Sequence, residues 1–392
     1  MPKTTFKANR EVAPVQLAQA LTTIMQRYVP LEFEHTRISP EEAWQILAYA
    51  SATRQTVEAA CAALPEAPSG NRLREVLLPA LPSLSELQGQ LNRILRQQLH
   101  PSLFKKKRPF QFAIDLTLIP YHGQAQTEAD EVMRGEAKAG TTHFHGYATL
   151  SIVHDKRRYT LILLFVRLGQ TMVDVVRQLL DRLKRLKFKV RRLYLDAGFC
   201  SVAVLKTLRR RQLPFLLPIP LRGKSGGVRV LFTRPKSYRG FYTLHSPTEG
   251  AWTVKAVALR RYFKGRYKKH GIQWFAYAIS GLPHPTPVAH VFEWYRRRFG
   301  IETSYRQMHH LRARTTSRNP VWRLLLVGLA FILVNLYITL RRTFSVGAST
   351  EHKPVRLLPV SLDRLATALR QAAELLFGSP PAFICRQRSV LS

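Results

Sequence analysis

Between residues 110 and 219 the apolar pattern changes period in an order that few folds satisfy. Phe110–Ile119, Phe144–Val153 and Tyr159–Val166 read as three buried strands, with Asp155-Lys156-Arg157-Arg158 as the hairpin between the last two. Thr171–Leu186 then reads as an amphipathic helix, with Val175, Leu179, Leu183 and Leu186 on one face. Val190–Leu195 is a fourth strand, Val202–Arg211 a second helix and Phe215–Ile219 a fifth strand. Three consecutive strands make a meander, and two helical crossovers then add parallel strands. The expected class is α/β, with a mixed sheet flanked by helices.

The flanking segments have other patterns. Residues 220–285 start with frequent Gly, Pro and Ser and carry only short apolar runs. Phe241–Leu244, Trp252–Ala258 and Trp274–Ile279 predict a small inserted sheet there. Helix returns at about Val288 and is expected to run through His310, with a second helix over 324–340 and a last one at Ser361–Phe377. The first hundred residues read as helical. Ser39-Pro40-Glu41-Glu42 has a capping Ser, a Pro at the first helical position and a Glu three residues on, so a helix should follow to about residue 63. Ser83-Leu84-Ser85-Glu86 repeats the cap, and Pro-Ser-Gly-Asn at 68–71 separates the two. The expected domains are a helical N-terminal domain at 1–104, a first core segment at 105–219, a β-rich insertion at 220–285, a second core segment at 286–345 and a tail with one helix at 346–392.

Charge then bounds the partner. The 392 residues hold 61 basic and 24 acidic side chains, a formal charge of +37. Such a balance points to a polyanion, nucleic acid above all, because released phosphate counterions drive association. Residues 1–100 carry 10 basic and 9 acidic side chains, leaving 51 and 15 for residues 101–392, so the polyanion should meet the later part. The N-terminal domain is then not a simple basic arm, and a helix-turn-helix reader of DNA ends remains open beside a plain structural role. Three scattered cysteines with no Cys-x-x-Cys pair support neither a zinc knuckle nor secretion, and the N-terminus has no apolar signal core. Leu324 to Ile338 is apolar over 15 residues but includes Asn335, and a bilayer-spanning helix needs about 20 residues. A buried core helix, without membrane, is the better reading.

Acidic residues are scarce where the charge is greatest. Between Asp181 and Glu293 only Asp196 and Glu249 are acidic. Asp196 closes the fourth strand, at the carboxyl end where open α/β sheets carry functional groups. Asp115 interrupts the apolar run Phe-Ala-Ile-Asp-Leu-Thr-Leu-Ile, and a carboxylate buried there needs a cation, a metal or hydrogen bonds. A strand-edge Asp paired with an Arg, and a capping Asp, are the plain alternatives at the two positions. If the fourth strand lies beside the first, as a ribonuclease-H-like order requires, the two carboxylates face each other. A divalent cation would relieve their repulsion, and hard oxygen ligands suit Mg²⁺ or Mn²⁺. A third acidic ligand would come from a neighbouring helix, and Glu302 follows Arg296, Arg297 and Arg298 on one.

These segments resemble the insertion-sequence transposases of the IS-four superfamily. Tyr295, Arg298 and Glu302 match the start of that family's Tyr-x2-Arg-x3-Glu-x6-Lys signature, and Ile114-Asp115-Leu116-Thr117 and Leu195-Asp196-Ala197-Gly198-Phe199 look like its two aspartate boxes. The signature's Lys falls on His309, so its phosphate-holding role would pass to His309, Arg306 or Arg312. The resemblance, over about residues 108–342, implies a ribonuclease-H-like catalytic core. It implies that Asp115, Asp196 and Glu302 hold two Mg²⁺ or Mn²⁺ ions, with Tyr295 and Arg298 on DNA phosphates. The insertion, with Arg222, Lys224, Arg229, Arg260, Arg261, Lys264, Arg266, Lys268 and Lys269 among Tyr262, Phe263 and Tyr267, would hold flanking DNA.

The function so implied is cut-and-paste transposition by a metal-dependent DDE enzyme. Its partners would be double-stranded DNA, as terminal repeats and target, and a second copy of the chain as a homodimer in the synaptic complex. Its place would be the prokaryotic cytoplasm, with the nucleoid. The alternative is a catalytically inactive, transposase-derived DNA-binding protein, which the departure at His309 favours. Other motifs carry less. Cys200 lacks an ordered Cys–His–Asp partner set. His143, His145 and His154 do not have metal-ligand spacing, and Gly223-Lys224-Ser225-Gly226-Gly227 does not have that of a phosphate loop.

Overall fold

The computed structural model describes residues 12–104, 109–124, 132–154, 157–265, 270–282, 287–296, 298, 300–345 and 360–380, without the side chains of 102, 154, 157, 300–302, 344 and 345. The chain divides into two compact units, one of residues 99–306 and one that joins 1–98 to 307–392.

The discontinuous unit is helical. It contains α1 (Pro14–Tyr28), α2 (Pro40–Thr53), α3 (Val57–Ala63), α4 (Gly70–Ala80) and α5 (Leu84–Gln97). The capping box at Ser39 forms as the sequence predicts, with the Ser39 amide donating to Glu42 Oε2 at 2.7 Å. The single helix expected up to residue 63 is two helices. Arg54 takes a left-handed conformation (φ 59°), which ends α2, and the Thr56 side chain caps α3. Ser69 likewise starts α4 where only a break was expected.

Two late helices complete this unit, α10 (Pro320–Ser345) and α11 (Leu362–Phe377). Helix α10 packs on α5 and α2, and α11 packs on α1 and α2. Both helices thus fall in the same compact unit as the N-terminal helices. An apolar helix such as α10 must be covered on most sides, and the N-terminal helices supply the cover. Helix α10 is long and apolar enough to cross a bilayer, but 89% of its most apolar window is buried within the chain. The Gln98 amide group donates to the Ile332 carbonyl oxygen at 2.9 Å, and Gly328 lets Leu91 approach.

The second unit is built on a sheet. In chain order it contains β1 (Phe110–Pro120), β2 (Met133–Lys138), β3 (Thr141–His154), β4 (Arg157–Val166), α6 (Met172–Arg185), β5 (Val190–Tyr194), α7 (Val202–Arg210) and β6 (Phe215–Pro218). There follow β7 (Tyr238–Ser246), β8 (Gly250–Lys264), β9 (His270–Ser280), α8 (Val288–Arg296) and α9 (Gly300–His310), whose residues from 307 on belong to the helical unit. Among the described residues the strands form one nine-stranded sheet, ordered β2-β3-β1-β5-β6-β9-β8-β7, with β4 also on β3. Strands β1, β5 and β6 run parallel, and the others meet their neighbours antiparallel.

Two expectations need correction here. The inserted strands do not form a separate small sheet, because β9 pairs with the open edge of β6 from Phe215↔Ser280 to Pro218↔Tyr277. An unpaired edge on a buried strand leaves main-chain groups unsatisfied, and the returning strand fills it. The helix expected from 288 to 310 is interrupted after Arg296 and resumes at Gly300. Strand β2, flanking the meander, was not anticipated; its run Met-Arg-Gly-Glu-Ala-Lys is mostly exposed and carries no apolar alternation.

A side chain at Gly328 has no room. A Cβ there would lie 2.5 Å from Leu91 Cδ1. Gly328→Val should therefore lower stability by about 1–3 kcal/mol through overpacking. Chemical denaturation measures the loss, and Leu91→Ala in the same chain is expected to return part of it.

Candidate active site

The two aspartates are brought together by strand register. Strands β1 and β5 are parallel neighbours with Ala113 opposite Tyr194, so Asp115 and Asp196 each lie two residues beyond the same pair. Asp115 is inside β1, buried at 7% exposure. Asp196 follows the end of β5 in extended backbone (φ −80°, ψ 161°) and leads into a short turn at Ala197–Phe199. Its side chain is 43% exposed. One carboxylate thus lies in the sheet, and the other at its rim.

A single guanidinium joins them. Arg298 Nη1 donates to Asp115 Oδ2 at 3.2 Å, and Nη2 lies 3.1 Å from Asp196 Oδ1. Arg298 is 4% exposed. Its position follows from the break between α8 and α9, which lets residue 298 turn inward. The Asp115 carboxylate also accepts from the Leu116 amide at 2.9 Å. A carboxylate buried as Asp115 is needs a compensating positive charge, and Arg298 supplies it.

Aromatic rings close the surroundings. The Tyr295 hydroxyl is 3.5 Å from Asp196 Oδ1, and its ring lies 5.3 Å from the Arg298 guanidinium carbon and 5.2 Å from the Tyr277 ring. Burial pushes the Tyr295 phenol well above its ordinary range; Arg298 opposes the rise and the Asp196 charge adds to it. Burial raises Tyr277 too. Both phenols are neutral donors at any physiological pH. Below Asp115, the Tyr305 hydroxyl shares a hydrogen bond of 2.7 Å with Thr149 Oγ1. On α8, Trp294 stacks over the buried Arg192 guanidinium at 3.8 Å.

A cleft of about 1090 Å³ runs from Asp196, Arg298 and Arg306 across Tyr277 and Tyr295 towards Arg261 and Lys264. Its floor is apolar and its rim cationic, which suits a strand of nucleic acid better than a small acid.

The sequence candidates fall into four groups. Asp115, Asp196, Tyr295 and Arg298 converge, but Tyr295 and Arg298 face the aspartates and are buried at 6% and 4% exposure, not laid open for phosphates. Arg306, Arg260 and Lys264 are exposed, whereas Arg261 is engaged with Glu293 at 2.8 Å and stacks on Phe292 at 4.3 Å. His309 and Arg312 fall in the helical unit. Glu302 lies on α9, but its side chain is outside the described residues, as are Arg266, Tyr267, Lys268 and Lys269. Among the described residues no three His, Cys, Asp or Glu gather as metal ligands. Cys200 is buried, and burial pushes its thiol up to about 11, which excludes a ready nucleophile. Thr149 and Tyr305 were missed by sequence; the one available signal is that 305 lies one helical turn after Glu302.

A mixed sheet flanked by helices, with two aspartates at adjacent strands around one cation, invites comparison with phosphoryl-transfer enzymes. The sequence model of the family described as "Transposase DDE domain" matches residues 109–336, more than half of the chain, and the chain belongs to that family. The match spans both aspartates and Glu302 and agrees with the resemblance read from the three acidic segments. No curated protein matches the sequence. Among solved structures, a cryo-EM structure of the piggyBac transposase synaptic complex with hairpin DNA shares the fold, with a TM-score of 0.55 at 12% identity over 95% of this chain and 82% of that one.

The bridge sets a stability test. Arg298→Gln should cost about 3–5 kcal/mol, because the buried Asp115 carboxylate loses its cation. In an Asp115→Asn chain the same substitution should cost much less. Urea denaturation of the four variants gives the coupling, and equal losses in both backgrounds would show that the pair is not coupled.

Proposed function

We propose that the chain is a DNA transposase that cuts DNA at the ends of a mobile element and joins the freed ends to target DNA. The observation that supports this most is the convergence of Asp115 and Asp196 on one positive charge, in a member of the DDE family. The meander β4-β3-β1, continued by parallel β5 and β6, supports a ribonuclease-H-like core.

The donor set fits divalent cations. Two carboxylates already gather around one guanidinium, and their oxygens are of the hard kind that Mg²⁺ or Mn²⁺ takes. Asp115 and Asp196, with Glu302 by the family signature, would hold two such ions. Bound there, they would lower the pKa of an attacking water and stabilise charge on the attacking and leaving oxygens of a phosphodiester. The chain's own residues do the rest. Arg298 must release both carboxylates for cations to enter, and it then becomes a donor for a phosphate oxygen beside them. The Tyr295 phenol, held neutral, can donate to that phosphate without adding charge. Lys264 and Arg306, which line the cleft, would hold the DNA backbone there, with Arg260 exposed on the same strand as Lys264, and the apolar floor would exclude water from the reacting bond.

In this reading, hydrolysis breaks the P–O3′ bond at the element's end and leaves a 3′-hydroxyl. That hydroxyl attacks a phosphodiester of the target, or of the opposite strand, forming a new P–O bond as the P–O3′ bond of the attacked strand breaks and its 3′-oxygen leaves as a hydroxyl. Two ends have to be joined in concert, so a homodimer on double-stranded DNA, in the cytoplasm with the nucleoid, is the proposed working state. The DNA-bound piggyBac relative, similar in fold, supports DNA as the partner.

The direct test is nicking and joining of element-end DNA with Mg²⁺ or Mn²⁺. Asp115→Ala, Asp196→Ala and Glu302→Ala should each lose on the order of 10³-fold in rate, since a misheld metal site forfeits several kcal/mol. If the wild type and Asp196→Ala behave alike, the chain binds DNA without cutting it.

Binding has its own measure. Lys264→Ala or Arg260→Ala should reduce the slope of log K against log salt by about 1 each. Arg261→Ala, already engaged by Glu293 and Phe292, should change the slope least. Fluorescence anisotropy titrations over a salt series decide this.

A further inference from the structure

One buried polar contact beside the site has no part in the scheme above. Thr149 and Tyr305 come from β3 and α9, 156 residues apart in sequence, and their hydroxyls lie 2.7 Å apart. Thr149 is 1% exposed and pairs directly with Asp115 in the β1–β3 register. Cross-strand partners share a sheet face, so Thr149 and Asp115 point to the same side. Through this hydrogen bond Tyr305 ties α9 to β3. Burial, with the Asp115 charge adding to it, drives the Tyr305 phenol well above its ordinary value, so it stays a hydroxyl.

The start of α9 has two holds on the sheet. Arg298, just before it, reaches both aspartates. Tyr305, one turn after position 302, reaches Thr149. The first hold must open if cations are to take the aspartates, and the second depends on no charge at all. A buried hydroxyl pair is costly to separate, because neither group finds water when parted.

We propose that the Thr149–Tyr305 hydrogen bond is the latch that holds the start of α9, which carries position 302, in its place against β3 after the Arg298 bridge opens. Tyr305 and Thr149 are positioning residues, acting through Glu302. The inference rests on the metal-dependent reading above for its purpose, though not for its geometry.

Tyr305→Phe keeps the ring and removes only the hydroxyl. Thr149→Val keeps the shape, and Thr149→Ser keeps the hydroxyl. In the full-length chain, Tyr305→Phe and Thr149→Val are expected to speed amide exchange in α9 on the order of tenfold. They should also raise the Mn²⁺ concentration at half-maximal cleavage several-fold, while affinity for end DNA without metal stays unchanged. The double variant should be no worse than either single, and Thr149→Ser should behave as wild type. Unchanged exchange in α9, or an unchanged Mn²⁺ midpoint in an active enzyme, overturns the latch. So does an equal loss of metal-free DNA affinity, since that marks general collapse. If the wild type itself shows no metal-dependent cleavage, the transposase reading falls, while exchange in α9 still decides the latch.

Discussion

A positive charge shared by two carboxylates organises the sheet-bearing unit. Asp115 sits in a strand where an ionised group is otherwise unaffordable, and Asp196 stands beside it by register. Their mutual repulsion has to be cancelled in every state of the protein. In this structure Arg298 lies between the two carboxylates, with the Tyr295 ring beside it. A guanidinium suits this place, being flat, permanently charged and able to donate to two acceptors at once.

Much of this was legible in the sequence because the signals were local. The strands and helices from 110 to 219 each carry their own period, and the observed β1, β3, β4, α6, β5, α7 and β6 lie close to the expected ranges. The scarcity of acidic residues picked out Asp115 and Asp196 without any knowledge of their contact. What was not legible depends on distant partners. Whether Arg298 faces phosphate or carboxylate is decided by the break after Arg296, which no Gly-Pro pair announces. Tyr305 looks like any aromatic on a helix until Thr149 is placed opposite Asp115.

The partners of the long apolar helix were not legible for a related reason. Nothing in the run Leu324 to Ile338 says which helices will cover it. An apolar helix of this kind can be buried against any apolar surface, and here α5 and α2 provide that surface from the far end of the sequence. Sequence order suggested a second core segment; burial chose the N-terminal helices. Gly328 marks the choice, since a close approach by Leu91 is possible only where no side chain intervenes.

The seam between β6 and β9 has a consequence for how such a chain can evolve. A loop domain tethered at two points can be lost, enlarged or exchanged without disturbing its host. Here the inserted strands are hydrogen-bonded into the host sheet, four register pairs deep, next to the strand that neighbours β5. Excising them would bare the edge of β6 and leave a sticky main-chain rim open to other chains. Changes of loop length and of outward-facing side chains would leave this seam intact, whereas changes to its backbone would disturb the strands beside the aspartates.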